Sequence, residues 1–222
     1  FVLFIMLCMT NAFASQNYAQ QLQRLSTDEG LSQNYVVKIQ EDEIGFIWIA
    51  TQQGLNRFDG YNVETFDGGF ELDKHYISTL LKTQDGKVLV STDIAGAYLI
   101  DPLTLKTEKI YSGQLDKEKQ IYSPVAAMAE KNELYYLAID NQIVTYNKIT
   151  GAFTQTATLA EKTSFIRALT LHNNILFIGA NNGLYKFNLV SNQLTEIPLH
   201  PAEKTTIDNI NVKFLQVDKE LG

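Results

Sequence analysis

From Tyr35 onward the chain alternates short β-branched and aromatic runs with Gly, Asn and Asp turn signals. The first unit reads Val36–Asp42, a turn through Gly45, Phe46–Thr51, a turn at Gln52-Gln53-Gly54, Leu55–Phe58, the turn Asp59-Gly60, and Val63–Phe66. Four such runs joined by hairpin-length turns predict a four-stranded antiparallel meander.

The layout recurs. A second unit holds Ile77–Leu81, Val88–Thr92, Gly96–Asp101 and Lys106–Ile110; a third holds Val125–Met128, Leu134–Ala138 and Ile143–Asn147, with a turn at Thr150-Gly151. The fourth is cleaner, with Ile166–Leu171, Ile175–Gly179, Leu184–Asn188 and Gln193–Ile197, and a fifth opens at Val212–Asp218. Turn residues return at matching points with a period of roughly 40 to 47 residues, the range of propeller blades. A sandwich would not need the same turn chemistry after the same strand in every unit. The predicted fold is therefore all-β: a β-propeller of four-stranded antiparallel blades at about 31–69, 75–110, 123–159 and 163–199, with the start of another at 208–222. A closed ring of about seven blades needs more than this. The chain is thus expected to be an incomplete propeller, continued in a longer polypeptide.

Residues ahead of the repeats change the picture of where it works. Phe1 to Met9 form an uncharged apolar run, followed by Thr10-Asn11 and Ala12-Phe13-Ala14 before Ser15. This is the pattern of a secretory signal peptide over 1–14, cut after Ala14, and it is too short for a bilayer span of about 20 residues. Cys8, the sole cysteine, lies inside it behind Leu7, where a lipid-anchor signal carries a small residue. The mature chain then has no thiol for disulfide or nucleophile.

Composition narrows the partners. With 45% hydrophobic and 19% charged residues the chain is ordinary for a globular protein. Its net charge of -7 lacks the basic footprint needed for nucleic acid or an anionic membrane surface. Neutral or cationic partners stay open.

The string Leu31-Ser32-Gln33-Asn34-Tyr35-Val36, Asp42, Gly45-Phe46-Ile47-Trp48-Ile49-Ala50-Thr51 and Gly54-Leu55-Asn56-Arg57-Phe58-Asp59-Gly60 resembles the two-component regulator propeller repeat. Ala50 and Phe58 stand where that family usually has Gly and Tyr. The match is strong in the first repeat, moderate in the fourth and weak in the second and third. The resemblance implies the periplasmic sensor region of an inner-membrane-anchored receptor. Its output, a histidine kinase or a diguanylate cyclase, would lie outside this chain, and the receptor could act as a homodimer.

Most motif residues read as structural. Gly45, Gly54 and Gly60 suit turns that need positive φ. Trp48, between isoleucines, reads as packing between blades more than as a sugar-stacking platform. Asn56 and Arg57 face opposite sides of one strand, and Arg57 is expected to pair with Asp59 or with an acid of the next blade.

Ligand contact is expected on the face where loops entering the innermost strand meet loops joining the second and third strands. In the first blade these hold Gln33, Asn34, Tyr35, Gln52 and Gln53; their counterparts are His75, Tyr76, Asp93, Tyr122, Asp140, Asn141, Ser164, Phe165, Asn181, Asn182, Asp208 and Asn209. The ten chosen as binding residues are Asn34, Tyr35, Gln52, Gln53, His75, Tyr76, Asp93, Asn141, Asn181 and Asn182. Amides, acids and aromatics around one concavity suit a glycan or other polar small molecule. His75, His172 and His200 lack metal-ligand spacing, and no nucleophile elbow or phosphate-cradling Gly-rich loop occurs. Neither a cofactor, a metal nor a catalytic residue is expected. A secreted carbohydrate-active propeller enzyme and a protein-binding scaffold are the rival readings.

Overall fold

The computed structural model describes residues 24–94, 96–112, 114–116, 121–161, 164–198 and 211–216. The expected leader at 1–14, together with Asp208, Asn209 and His200, lies outside them. Four four-stranded antiparallel sheets follow one another along the chain, each with its strands in sequence order. The first is β1 (Val36–Glu41), β2 (Ile47–Thr51), β3 (Gly54–Phe58) and β4 (Val63–Thr65). The second is β5 (Ile77–Lys82), β6 (Val88–Thr92), β7 (Ala97–Ile100) and β8 (Thr107–Tyr111). A small hairpin, β9 (Gln114–Asp116) and β10 (Ile121–Tyr122), intervenes. The third sheet is β11 (Val125–Lys131), β12 (Leu134–Ile139), β13 (Gln142–Asn147) and β14 (Phe153–Thr158). The fourth is β15 (Ile166–His172), β16 (Ile175–Ala180), β17 (Gly183–Asn188) and β18 (Gln193–Ile197). The sheets are propeller blades, with β1, β5, β11 and β15 side by side in chain order as the inner strands.

The apolar cores lie between blades rather than within them. Trp48, Ala50 and Leu55 of the first blade meet Ile77, Leu80, Val88, Val90, Tyr98 and Ile100 of the second. On the far side of the second blade, Leu89, Leu99 and Ile110 meet Val125, Met128, Tyr135 and Leu137. Tyr136, Ala138 and Ile143 then meet Ile166, Leu176, Ile178 and Phe187. Along β6 the alternation sends Val88 and Val90 one way and Leu89 the other, so all five of its residues are buried. The second and third blades therefore each shelter the apolar faces of two neighbours, as stacked repeats require.

Turn chemistry repeats with the blades. Between the third and fourth strands, Asp59, Asp101, Asn147 and Asn188 each accept two backbone N–H bonds at Oδ1, from the residues two and three positions on. Such Asx caps close a turn with the side chain in place of backbone. In the last three blades the fourth residue after the cap returns its N–H to the cap's carbonyl and takes positive φ: Leu105 at 59°, Gly151 at 68° and Asn192 at 56°.

Two elements went unread in the sequence. The β9–β10 hairpin pairs runs of three and two residues, below the length at which alternation is visible. Ser26 and Glu29 form a capping box over the 3-10 turn Thr27–Glu29, with Ser26 N–H and Oγ–H both donating to Glu29 Oε2 at 2.7 and 2.6 Å.

Candidate functional site

The four inner strands share one irregularity that shapes the molecular axis. Each carries a β-bulge just after its first paired residue, at Val36/Lys38, Ile77/Thr79, Val125/Ala127 and Ile166/Ala168. A bulge leaves one residue outside the ladder and re-aims its side chain. The bulged residues Val37, Ser78, Ala126 and Arg167 all line one axial cavity of about 360 Å³. Lys213 joins them from the segment after the fourth blade, where Val212 N–H donates to Ala180 O at 2.9 Å. The next position on each strand, Lys38, Thr79, Ala127, Ala168 and Phe214, completes most of the wall.

Hydroxyls and cations supply the polar chemistry of this channel. Ser78 Oγ–H donates to Val125 O at 3.0 Å, tying the second blade to the third, and Lys38 Nζ reaches Thr79 Oγ1 at 3.5 Å. Desolvation by the surrounding strands pushes the Lys38 ammonium below the ordinary lysine range.

The loops expected to bind ligand lead into the inner strands, with Tyr35, Tyr76 and Phe165 each two residues before a bulged position. Their backbones are tied by one recurring bond from the turn after the second strand to the residue before the inner strand. Gln52 N–H donates to Tyr35 O at 3.2 Å, Asp93 N–H to Tyr76 O at 3.0 Å and Asn181 N–H to Phe165 O at 3.0 Å. Tyr35, Gln52, Tyr76, Asp93 and Asn181 thus share one face, and His75 directly precedes Tyr76. Tyr35, Gln52 and Gln53 are exposed there.

Several of the expected binding side chains are already engaged by the protein. Asn34 Oδ1 accepts from Thr27 N–H at 2.9 Å, fastening the loop to the 3-10 turn. Asn141 Nδ2 donates to Leu159 O at 3.0 Å, and Asn181 Oδ1 accepts from Phe165 N–H at 2.6 Å. Asn182 Nδ2 donates to Glu161 Oε2 at 3.2 Å. Asp93 Oδ1 accepts from Ile94 N–H at 2.9 Å. None of the ten lines the axial cavity, whose wall is built from residues that the sequence reading passed over: Lys38, Ser78, Thr79, Arg167 and Lys213. The signal that finds them is a β-branched apolar residue followed by the lining residue, at the bulged starts of the inner strands in Ile77-Ser78 and Ile166-Arg167 and again in Val212-Lys213 after the fourth blade.

The family motif residues hold the first blade together. Asn56, fully buried, accepts Ser32 N–H at Oδ1 over 2.8 Å and donates to Ser32 Oγ and Ile49 O at 2.9 and 3.1 Å. Ser32 and Thr51 share a hydroxyl bond of 2.8 Å, and Thr51 Oγ1 donates to Gly54 O at 2.9 Å. Gly45, Gly54 and Gly60 have φ of 90°, 131° and 99°. Trp48 packs at the interface of the first two blades, edge-on to Phe66 at 5.0 Å. Arg57 departs from its expected acid partner. It donates to Pro102 O of the next blade at 3.1 Å and lies over the Phe46 ring at 3.6 Å, while the Asp59 carboxylate is occupied by Tyr61 and Asn62 N–H groups. The short Asx turn claims the carboxylate locally, and the guanidinium stacks instead.

Comparison with known proteins agrees with this architecture. Two crystal structures from B. thetaiotaomicron, described as extracellular domains of hybrid two component systems, share the fold. One is 21% identical with a TM-score of 0.69, covering 84% of this chain and 25% of that one. The other is 22% identical with a TM-score of 0.64, covering 79% and 26%. A protein of Formosa agariphila named histidine kinase P4 is 45% identical over 38 residues, 17% of this chain and 3% of its own length. The chain thus spans about a quarter of the solved structures and a small fraction of the curated relative. No helix among the described residues is long and apolar enough to cross a membrane. Residues 30–53, which carry the Ser32, Asp42, Trp48 and Thr51 contacts, match the sequence model of the two component regulator propeller. The chain is thus a run of successive four-stranded propeller blades whose first carries, over residues 30–53, a sequence match to the two component regulator propeller.

Proposed function

We propose that this chain is the ligand-sensing propeller of a bacterial signal-transduction receptor, working in the periplasm or outside the cell. Its output, a histidine kinase or diguanylate cyclase, belongs to the rest of the polypeptide. The match of residues 30–53 to the two component regulator propeller is the observation that carries this reading. The fold shared with extracellular domains of hybrid two component systems supports it.

The recognition surface in this proposal is the channel face. Its support is that the loops around Tyr35, Gln52, Tyr76, Asp93 and Asn181 are tied together where the chain enters the inner strands, and that the bulged residues of those strands line the axial cavity. Its volume of about 360 Å³ falls within the range of small-molecule sites. Polar loops above a narrow cavity suit a hydroxylated small molecule of one or two sugar rings. Titration of the full-length protein against a panel of mono- and oligosaccharides, followed by calorimetry, tests this. Saturable 1:1 binding of at least one glycan is the expected result. Saturable binding of a second protein with no response to any small molecule would replace sensing by a scaffold role.

A further inference from the structure

The charge of the channel runs opposite to that of the chain. The protein carries a net charge of -7, yet the charged residues lining the axial cavity are Lys38, Arg167 and Lys213, with no Asp or Glu among them. Among the described residues none of the three meets a carboxylate within ion-pair distance, and Arg167 and Lys213 are both exposed and line the cavity. Elsewhere the structure pairs its lysines readily: Lys82 with Glu43 at 2.9 Å and Lys148 with Glu130 at 2.8 Å.

The placement follows from the bulges. Arg167 occupies the bulged position of β15, and Lys213 follows Val212 as Arg167 follows Ile166. Arg167 at the bulge of β15 and Lys213 in the segment after the fourth blade thus line the same axial space, each with a cation. Lys38, one position further along β1, faces it from the first blade, and the Ser78 and Thr79 hydroxyls lie on the second. A guanidinium offers a planar fork that matches carboxylate and sulfate oxygens, and ammonium groups add point charge. The hydroxyls and the Phe214 ring complete a surface for a hydroxylated ring.

We propose that the axial channel is an oxyanion-recognition site that selects an acidic sugar, carboxylated or sulfated, over its neutral counterpart. This rests on the ligand-sensing reading and narrows its ligand class against the expectation drawn from net charge. Arg167 receives the oxyanion, Lys213 and Lys38 flank it, and the mouth loops contact the sugar hydroxyls. The negative charge elsewhere on the chain is screened within about 8 Å at physiological salt, so the local cations decide.

The test is calorimetry on the full-length protein with glucose, glucuronate, glucose 6-sulfate and inorganic sulfate. Glucuronate or glucose 6-sulfate should bind at least about tenfold more tightly than glucose, and the affinity should fall as salt rises. Comparing the two acidic sugars separates carboxylate from sulfate as the source of charge; binding of inorganic sulfate as tight as that of glucose 6-sulfate would overturn sugar selectivity. Arg167→Met and Lys213→Met should each weaken the acidic sugar about tenfold or more, with Arg167→Lys intermediate and Lys186→Met, on an exposed position of β17, unchanged. Melting curves confirm folding, which both exposed positions should tolerate. Equal affinity for glucose and the acidic sugars, or acid binding that survives both Met substitutions, overturns the anion assignment while leaving sensing intact. Failure of both acidic sugars alongside a neutral glycan that binds also overturns it, whereas failure of every glycan overturns the sensing reading with it.

Discussion

Asp42 anchors Trp48: the indole Nε1–H donates to Asp42 Oδ2 at 2.8 Å, and both residues are buried. The other oxygen, Oδ1, accepts Ile44 N–H and Phe46 N–H at 3.0 Å each, so one carboxylate shapes the first hairpin and fixes the ring at the blade interface. Asp42→Asn keeps an acceptor for the turn but turns an N–H₂ donor toward the indole N–H. A loss of about 2 kcal/mol is expected, the scale of a hydrogen bond to a buried charged group. Trp48 is the only tryptophan, so urea denaturation followed by its fluorescence reports this interface alone. An unchanged midpoint would mean the bond contributes nothing.

Gly54 and Gly60 both need positive φ, but only Gly54 is hemmed in. A Cβ on Gly54 would lie 2.5 Å from Asp73 O, whereas one on Gly60 would meet nothing within 4 Å. Gly54→Ala should therefore cost the backbone strain plus a shift of the turn that carries Asp73, about 3 kcal/mol or more, and Gly60→Ala about 1 kcal/mol. Parallel denaturation curves check the ranking, and equal losses would refute the close approach.

Leu105 is the misfit of the repeating turn. It adopts φ of 59° at the position where the later blades place Gly151 and Asn192. Its side chain is 41% exposed, so little packing is lost on replacement. Leu105→Gly should stabilise the protein by roughly 0.5–1 kcal/mol, the left-handed strain relieved less the added freedom of the unfolded chain. A lower melting temperature would contradict this.

The Asx caps divide by charge, with Asp in the first two blades and Asn in the last two. Backbone N–H groups of Asn62 and Tyr61 hold the Asp59 carboxyl below its ordinary range, and those of Thr104 and Leu103 do the same for Asp101. A depressed folded pKa means that the unfolded state takes up the proton first. The contribution of these caps is complete above the ordinary carboxylate range and is lost as pH falls below about 4 toward the folded values. Replacing both with Asn, as blades three and four already have, should flatten the acid limb of stability against pH. An unaltered limb would show that other carboxylates govern it.

How much of this was legible in the sequence differs between strands and site. The blades were readable because Val, Ile and aromatic runs recur between Gly, Asn and Asp turns, and the continuously apolar Val88-Leu89-Val90 fits a strand buried on both faces. Arg57 was misassigned because a carboxylate two residues away is a partner only if the turn leaves it free, and the Asx cap does not. The channel wall was missed because a bulge is a departure from period-two alternation. In Ile166-Arg167-Ala168 the extra residue looks like an ordinary outward-facing position until the ladder shows that it is skipped. The loops ahead of the inner strands were picked by their place in the repeat; which of their side chains are already engaged, as Asn34 is by Thr27, depends on contacts outside the repeat.

The central claim, that ligand is read at the channel face, is tested most directly by hydrogen–deuterium exchange on the full-length protein with and without a binding glycan. The account predicts slowed exchange at the starts of the inner strands, around 35–38, 76–79, 125–128 and 166–169, and in the turns at 52–53, 93 and 181. Protection confined to the outer strands β4, β8, β14 and β18, with the inner strands unchanged, would contradict it.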